Sequence, residues 1–236
     1  MAKGVSKTAM LDLVKGFRAK EVEAALKGSP ELLTVRDERG RNWLHVCCGQ
    51  KVAKGNERDS IATAAVLLAH GLGIDTPAFT EGTWQATPVW YAVGRGENRP
   101  LLEYLLKRGG SPEHSLWAAS FHSDLASIRL LVKHGAYLEA IAEGETPFLG
   151  AVKYSKFTAA EELLRLGADP DYRDKRGMTA LHYMLKKGSD LAHVAMVVRH
   201  GARGDIADKS GKTAIDILSR KKDAGWRELA EQLAQR

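Results

Sequence analysis

The chain has 236 residues, 44% of them hydrophobic, which is enough to build a continuous core and excludes an intrinsically disordered protein. Its 35 basic and 29 acidic residues give a formal charge of +6, which favours acidic partners without by itself indicating nucleic acid. The N-terminal segment is polar and no stretch reaches about 18 consecutive apolar residues, so we expect no membrane insertion and a cytoplasmic location.

The first predicted element is a hairpin of two helices near the N-terminus. Between Thr8 and Leu26, apolar residues recur at the spacing of helices that bury one face. At the other end of the chain, Trp226, Leu229 and Leu233 follow the same spacing in a segment whose outer face is charged. These two segments are typical of the caps that close a stack of repeats.

Between the two caps the sequence repeats itself. Thr146, Thr179 and Thr213 each open a similar segment, and the intervals between them are 33 and 34 residues. A period of this length indicates a stack of small units, each too small to bury its apolar face alone.

Each part of the repeated unit has a physical purpose. A threonine caps the first helix through its hydroxyl, and a following proline, as in Thr87-Pro88, fits the first turn, where its missing amide hydrogen is not needed. A glycine such as Gly167 follows the leucines of the second helix and adopts the left-handed backbone that ends it. The sequence therefore predicts two helices per unit, joined to the next unit by a turn that we call the finger.

These motifs resemble the Thr-Pro-Leu-His signature of the ankyrin repeat family. Matching segments are Thr87-Pro88-Val89-Trp90, Thr146-Pro147-Phe148-Leu149, Thr179-Ala180-Leu181-His182 and the weaker Asn42-Trp43-Leu44-His45. The resemblance implies an all-α ankyrin-repeat solenoid of stacked helix-turn-helix units with short β-hairpin finger loops, about six repeats including the caps. We predict a single ankyrin-repeat domain over 1–236, with an N-terminal cap at 1–36, repeats at 37–75, 76–110, 111–140, 141–173 and 174–207, and a C-terminal capping repeat at 208–236.

Two departures from the regular repeat are predicted. The segment from Lys51 to Ser60 is polar and contains glycine, which indicates an inserted loop between the two helices of the first repeat. The third repeat passes almost directly from one helix to the next at Ser111–Trp117 and should lack a finger.

Catalytic and metal-binding chemistry has little support in the sequence. His45, Cys47 and Cys48 are close together, but by resemblance the cysteines occupy small positions packed between helices, and no second ligand pair accompanies them. His45 lies two residues from Cys47, a spacing at which side chains on a helix do not face each other. We therefore predict no enzyme activity, no cofactor and no metal.

The resemblance places partner contacts at the finger tips and at the last positions of each first helix. Positive side chains recur there once per repeat, with aromatic and apolar ones between them. The predicted partner-binding residues are Trp84, Arg95, Phe121, His122, Lys153, Tyr154, Lys175, Arg176, Met178, Lys186, Lys187, Lys209, Lys212, Arg220 and Lys221.

Three functions remain open from the sequence. The leading hypothesis is a protein–protein interaction module of adaptor, scaffold or inhibitor type that binds an acidic protein surface. The alternative is polyanion or nucleic-acid binding through the same basic stripe, which acidic residues such as Asp174, Asp208 and Asp216 disfavour. An enzyme would need a deep pocket, which an open stack seldom provides.

Overall fold

The structure is a computed structural model that describes residues 5–235, with the exception of 54, 82, 83 and 143, and without the side chains of Thr80, Glu81 and Trp84. Among these residues it is helical except for one antiparallel ribbon, β1 (Thr80–Glu81) and β2 (Trp84–Gln85), and for connecting turns. No described helix has the length and apolar character needed to cross a bilayer. The chain divides into a first unit, Met1–Ala118 with Arg129–Ala136, and a second unit, Ala119–Ile128 with Tyr137–Arg236.

The first unit is built from helix pairs packed side by side. The helices are α1 (Lys7–Lys15), α2 (Ala19–Gly28), α3 (Trp43–Gly49), α4 (Glu57–Ala69), α5 (Pro88–Gly94) and α6 (Arg99–Lys107), with a 3₁₀ turn at Pro30–Thr34. In one row, α1 packs against α3 and α3 against α5, and in the other α2 packs against α4 and α4 against α6. Leu44, Leu67 and Leu101 are fully buried.

The second unit repeats this arrangement. The two helices α7 (Ser115–Phe121) and α8 (Leu125–Lys133) are each divided between the units. The remaining helices are α9 (Pro147–Lys153), α10 (Phe157–Arg165), α11 (Ala180–Lys187), α12 (Leu191–Arg199), α13 (Ala214–Leu218) and α14 (Ala224–Ala234). The first helices α9, α11 and α13 contact one another in order, and so do the second helices α10, α12 and α14.

The repeated threonines start helices as the sequence predicts. The hydroxyl oxygen of Thr87 accepts the N–H of Trp90 at 3.3 Å, and that of Thr146 accepts the N–H of Leu149 at 3.2 Å. A proline follows each of these caps in the first turn. At the other end of a unit, Gly167 has a φ of 100° and terminates the second helix in left-handed backbone.

Two histidines connect neighbouring repeats. In the first unit the Nε2–H of His45 donates to the carbonyl of Thr76 at 2.7 Å, while the N–H of Asn42 donates to Nδ1 of His45 at 3.2 Å. In the second unit Nε2–H of His182 donates to the carbonyl of Lys212 at 2.9 Å. A carbonyl oxygen only accepts, so in both rings Nε2 carries the donated proton. We call each arrangement a histidine latch.

The predicted insertion in the first repeat is shorter than the sequence indicates. Helix α4 begins at Glu57, so the described non-helical residues are 50–53 and 55–56, and the prediction of a loop up to Ser60 is wrong at its end. Ser60 is fully buried, donates to the carbonyl of Glu57 at 2.7 Å and accepts from Asn98 Nδ2 at 2.9 Å. A hydroxyl fixed by two hydrogen bonds belongs to the packed interior and not to a solvated loop.

The connection 108–114 between α6 and α7 is short and contains no strand, in agreement with a third repeat that lacks a finger.

Candidate partner-binding surface

Two aspartates in the fingers of the second unit accept hydrogen bonds from backbone N–H groups of their own turns. Asp174 Oδ1 accepts the N–H groups of Arg176 at 2.8 Å and Met178 at 2.9 Å. Asp208 Oδ1 does the same for Ser210 at 2.8 Å and Lys212 at 3.1 Å. The backbone N–H of Lys209 also donates to the carbonyl of Arg176 at 2.9 Å, which joins the two tips.

These aspartates remain ionised at neutral pH. Burial pushes the pKa of the Asp174 carboxyl up, but hydrogen bonds from Tyr183, Met178 and Arg176 outweigh burial and leave the pKa below its usual range. The hydroxyl of Tyr183 lies 2.5 Å from Asp174 Oδ2, and burial followed by this bond raises the pKa of Tyr183 to about 12. Tyr183 thereby fixes the finger against the first helix of its own repeat.

Lys153 does not offer a free charge to a partner. Its ammonium donates to Glu145 Oε2, whose side chain is only 3% exposed, and it lies 5.2 Å from the ring centroid of Tyr183. A buried carboxylate needs such a partner, because an unpaired charge in the interior is strongly destabilising. The ammonium of Lys153 therefore belongs to an internal ion pair, and its contact with an acidic partner stays a prediction.

The aromatic residues at the ends of α7 and α9 form a pair. Phe121 and Tyr154 are 37% and 50% exposed, and their ring centroids lie 5.1 Å apart at an interplanar angle of 78°. His122 lies edge-on to Phe121 at 5.7 Å, and Lys156 Nζ lies 5.6 Å from the centroid of the Phe121 ring. Edge-to-face pairs and a cation over a ring face both stabilise this arrangement, which leaves apolar area accessible.

Exposed cations lie in the fingers and near the ends of the first helices of the second unit. Lys187 Nζ donates to the carbonyl of Lys153, which places the end of α11 beside the end of α9. Within the described part of the chain, no carboxylate oxygen lies within 4.0 Å of the side-chain nitrogens of these cations. The exposed cations are Lys175, Arg176, Lys186, Lys187, Lys209, Lys212 and Arg220. We call these seven residues together with Phe121 and Tyr154 the cationic surface.

Other predicted contacts fall outside the cationic surface. Met178 directly precedes the cap of α11 and is only 7% exposed, so little of its side chain is accessible, and its role as a partner contact stays a prediction. Lys221 is half-buried, with its Nζ 4.4 Å from the centroid of the Trp226 ring. Arg95 is exposed but belongs to the first unit, and the side chain of Trp84 lies outside the described residues.

Sequence reasoning missed Glu145, Lys156 and Tyr183. Glu145 and Tyr183 belong to different repeats, and only the fold brings them to the same ammonium. Lys156 lies two residues after Tyr154, at the start of α10, where its distance from Phe121 depends on how the helices turn. Alignment of repeats detects equivalent positions, but it does not detect contacts between non-equivalent ones.

The two cysteines are packed in the core. Cys47 and Cys48 both have an exposed fraction of 0%, and burial raises the pKa of the Cys47 thiol to about 12 and that of Cys48 well above its usual value. Both side chains are therefore protonated thiols at neutral pH, whereas the thiolate is the reactive form of cysteine. Within the described residues, no group of three or more His, Cys, Asp or Glu side chains could hold a metal ion.

Sequence comparison finds short matches to repeat-containing proteins. No family model matches the chain. The Ankyrin repeat and LEM domain-containing protein 1 homolog of Caenorhabditis elegans is 36% identical over 97 residues, which is 41% of this chain and 12% of that protein. Phosphocholine transferase AnkX of Legionella pneumophila is 25% identical over 152 residues, 59% of this chain and 16% of that protein. The chain thus corresponds to a small part of the length of these relatives.

Structure comparison covers nearly the whole chain. The ankyrin repeat domain of human ASB11 aligns with 97% of this chain and 98% of its own, at a TM-score of 0.69 and 18% identity. The ankyrin repeat domain of Bcl-3 aligns with 95% of this chain and 97% of its own, at a TM-score of 0.72 and 17% identity. Ankyrin repeat domains are generally protein–protein interaction modules. The chain therefore has the all-α ankyrin-repeat solenoid fold, and the resemblance that its motifs predict is confirmed.

Proposed function

We propose that the chain is an interaction module of adaptor, scaffold or inhibitor type that binds an acidic protein surface through the cationic surface of the second unit. The observation that supports this most is the contrast between its charges. Its exposed lysines and arginines have no carboxylate within ion-pair distance in the described chain, whereas the nearby carboxylates of Asp174 and Asp208 bond to backbone N–H groups of their own fingers.

The aromatic pair provides binding free energy that the charges alone do not. Charges at the rim of an interface mainly raise the association rate and reject wrong partners, while buried aromatic residues provide most of the binding free energy. Phe121 and Tyr154 are held in a fixed T-shaped geometry, so little conformational entropy would be lost when a partner covers them. A partner with acidic side chains around an apolar patch fits this surface.

The test is a charge reversal that combines a helix end with a finger tip. Partners captured from the native host are first identified by mass spectrometry and purified, and their affinity is measured by calorimetry. The variant Lys186→Glu with Lys212→Glu should weaken binding about tenfold or more, and wild-type binding should weaken as salt rises. Circular dichroism should show unchanged helicity, because both side chains are exposed.

A matched control tests whether binding depends on this surface or only on the net charge of the chain. Lys133→Glu with Arg199→Glu changes the total charge by the same amount on exposed positions of second helices, and should leave the affinity within about twofold. An equal loss in both variants, or no loss in the first, would contradict the proposal. Strong retention of labelled single-stranded RNA at physiological salt, with steep salt dependence, would favour polyanion binding instead.

A further inference from the structure

The N-terminal end of the first unit contains a groove that sequence analysis did not find. It lies between α1, the finger at 35–41 and α3, and its volume is about 360 Å³. The apolar part of its lining comes from Leu11, Val35, Trp43 and Val46. The indole N–H of Trp43 donates to the carbonyl of Leu32 at 2.7 Å, so the ring is fixed in place. The lining is therefore held in place by α1 and α3 and by the hydrogen bond of the Trp43 ring.

The polar part of the lining is strongly positive. Lys7 and Lys15 reach it from α1, and Arg36 and Arg41 reach it from the finger. Arg41 Nε lies 2.7 Å from Asp37 Oδ2, the one carboxylate among the described lining residues, so these two charges offset each other.

Three of the four cations are not neutralised by a carboxylate of the described chain. In the described part of the chain, Lys7, Lys15 and Arg36 have no carboxylate oxygen within 4.0 Å. Arg36 Nη1 donates to the carbonyls of Leu33 at 3.1 Å and Val35 at 2.9 Å, which holds the guanidinium in position without neutralising it.

The shape and charge of the groove select a class of ligand. Its volume lies at the lower end of the range of ligand pockets, which is enough for a few side chains. A base-stacking ligand needs the open face of an aromatic ring, but Trp43 is only 5% exposed. An apolar floor with an uncompensated positive rim fits apolar side chains flanked by carboxylates.

We propose that this N-terminal groove binds a short peptide segment in which acidic residues flank one or two apolar side chains. The apolar side chains would cover Leu11, Val35 and Val46, and the carboxylates would pair with Lys7, Lys15 and Arg36. This site lies within the first unit, and the proposal does not depend on the cationic surface of the second.

The probes are three labelled twelve-residue peptides, in which leucine alternates with glutamate, leucine with lysine, or serine with glutamate. Fluorescence anisotropy with the full chain should show binding of the leucine–glutamate peptide only. The serine–glutamate peptide should bind at least about tenfold more weakly, because it has no apolar group to cover the floor. Equal binding of all three peptides, or of none, would overturn the proposal.

Variants then locate the site. Lys15→Glu with Arg36→Glu should weaken the leucine–glutamate peptide about tenfold or more, whereas Lys20→Glu with Arg58→Glu, on exposed positions of α2 and α4, should leave it within about twofold. Unchanged affinity in the first variant would overturn the proposal. Loss of the peptide in Lys186→Glu with Lys212→Glu instead would assign it to the cationic surface, which would overturn the groove and leave the proposed function standing.

Discussion

The first and the last finger share one local design but differ in their surroundings. Asp37 Oδ1 accepts the N–H groups of Arg39 and Arg41 at 3.0 and 2.9 Å, the same pattern that Asp208 makes in the last finger. Gly40 and Gly211 both have left-handed backbone, with φ of 73° and 80°. A Cβ on Gly40 would lie 2.1 Å from the carbonyl oxygen of Ala78, whereas one on Gly211 would meet no atom within 4 Å. The residues of the turn therefore determine its conformation, but the next repeat determines whether its glycine can be replaced.

The largest expected effect tests this comparison directly. Gly40→Ala should lower the free energy of unfolding by about 4 kcal/mol, since left-handed strain adds to a clash with backbone that cannot easily move. Gly211→Ala should cost only about 1 kcal/mol, from strain alone. Urea unfolding monitored by circular dichroism measures both values. Equal losses in the two variants would show that the neighbouring finger imposes no constraint.

The two histidine latches also differ in one residue, and this difference has consequences for pH. At His182, the hydroxyl of Thr179 lies 2.9 Å from Nδ1 and can donate to it. At His45 the corresponding atom is Asn42 Oδ1, 2.7 Å from Nδ1, and it cannot donate, while Asn42 Nδ2 is buried and has no hydrogen-bond partner among the described residues. The same latch is therefore fully satisfied in the second unit and incompletely satisfied in the first.

The second prediction concerns acid stability. Burial first, followed by the charges of Arg36 and Arg41, lowers the pKa of His45 to about 4, although its bond to Thr76 opposes this. Below pH 6.5 the unfolded chain binds a proton that the folded chain does not, so stability falls as the pH falls. We expect His45 to contribute a loss of roughly 2 kcal/mol between pH 7 and pH 5.

Comparison with His45→Gln isolates this contribution from the carboxylates that titrate in the same range. Urea unfolding at pH 7 and pH 5 should show a smaller decrease in stability for the variant than for the wild-type chain. An identical pH dependence in both proteins would mean that His45 does not carry the effect.

The smallest expected effect exchanges the caps of the two latches. Asn42→Thr should raise the free energy of unfolding by about 1 kcal/mol, because it removes a buried unpaired amide and provides a hydroxyl donor for Nδ1 of His45. The backbone permits the exchange, since Asn42 and Thr179 have φ, ψ values of −90°, 179° and −91°, 176°. The reciprocal change Thr179→Asn should destabilise by a similar amount, and a stabilising result there would contradict this explanation.

Local patterns determined how much of the fold the sequence could predict. Thr146 with Pro147, the leucines before Gly167 and the histidine at position 45 act through hydrogen bonds and backbone angles within a few residues or at a fixed repeat distance. The candidate site was less predictable. Lys153 was expected to face a partner, but it pairs with Glu145 and contacts Tyr183 of the next repeat.

The groove at the N-terminal end was missed for a related reason. Lys7, Leu11 and Lys15 are spaced so that they share one face of α1, but this pattern also describes an ordinary solvated helix. Only the positions of Arg36 and Trp43 opposite that face distinguish a binding groove. Sequence reasoning therefore identifies the elements of a repeat stack better than the surfaces formed between them.

Because the cysteines are buried, the rate at which their thiols react reports local opening of the chain. The chain's two cysteines, Cys47 and Cys48, lie on α3 in the first unit, and neither has any exposed area. A thiol-reactive dye can therefore modify them only when this region opens, and the labelling rate under native conditions measures the free energy of that opening. A labelling rate faster than global unfolding would show that the region around α3 opens without unfolding of the whole chain.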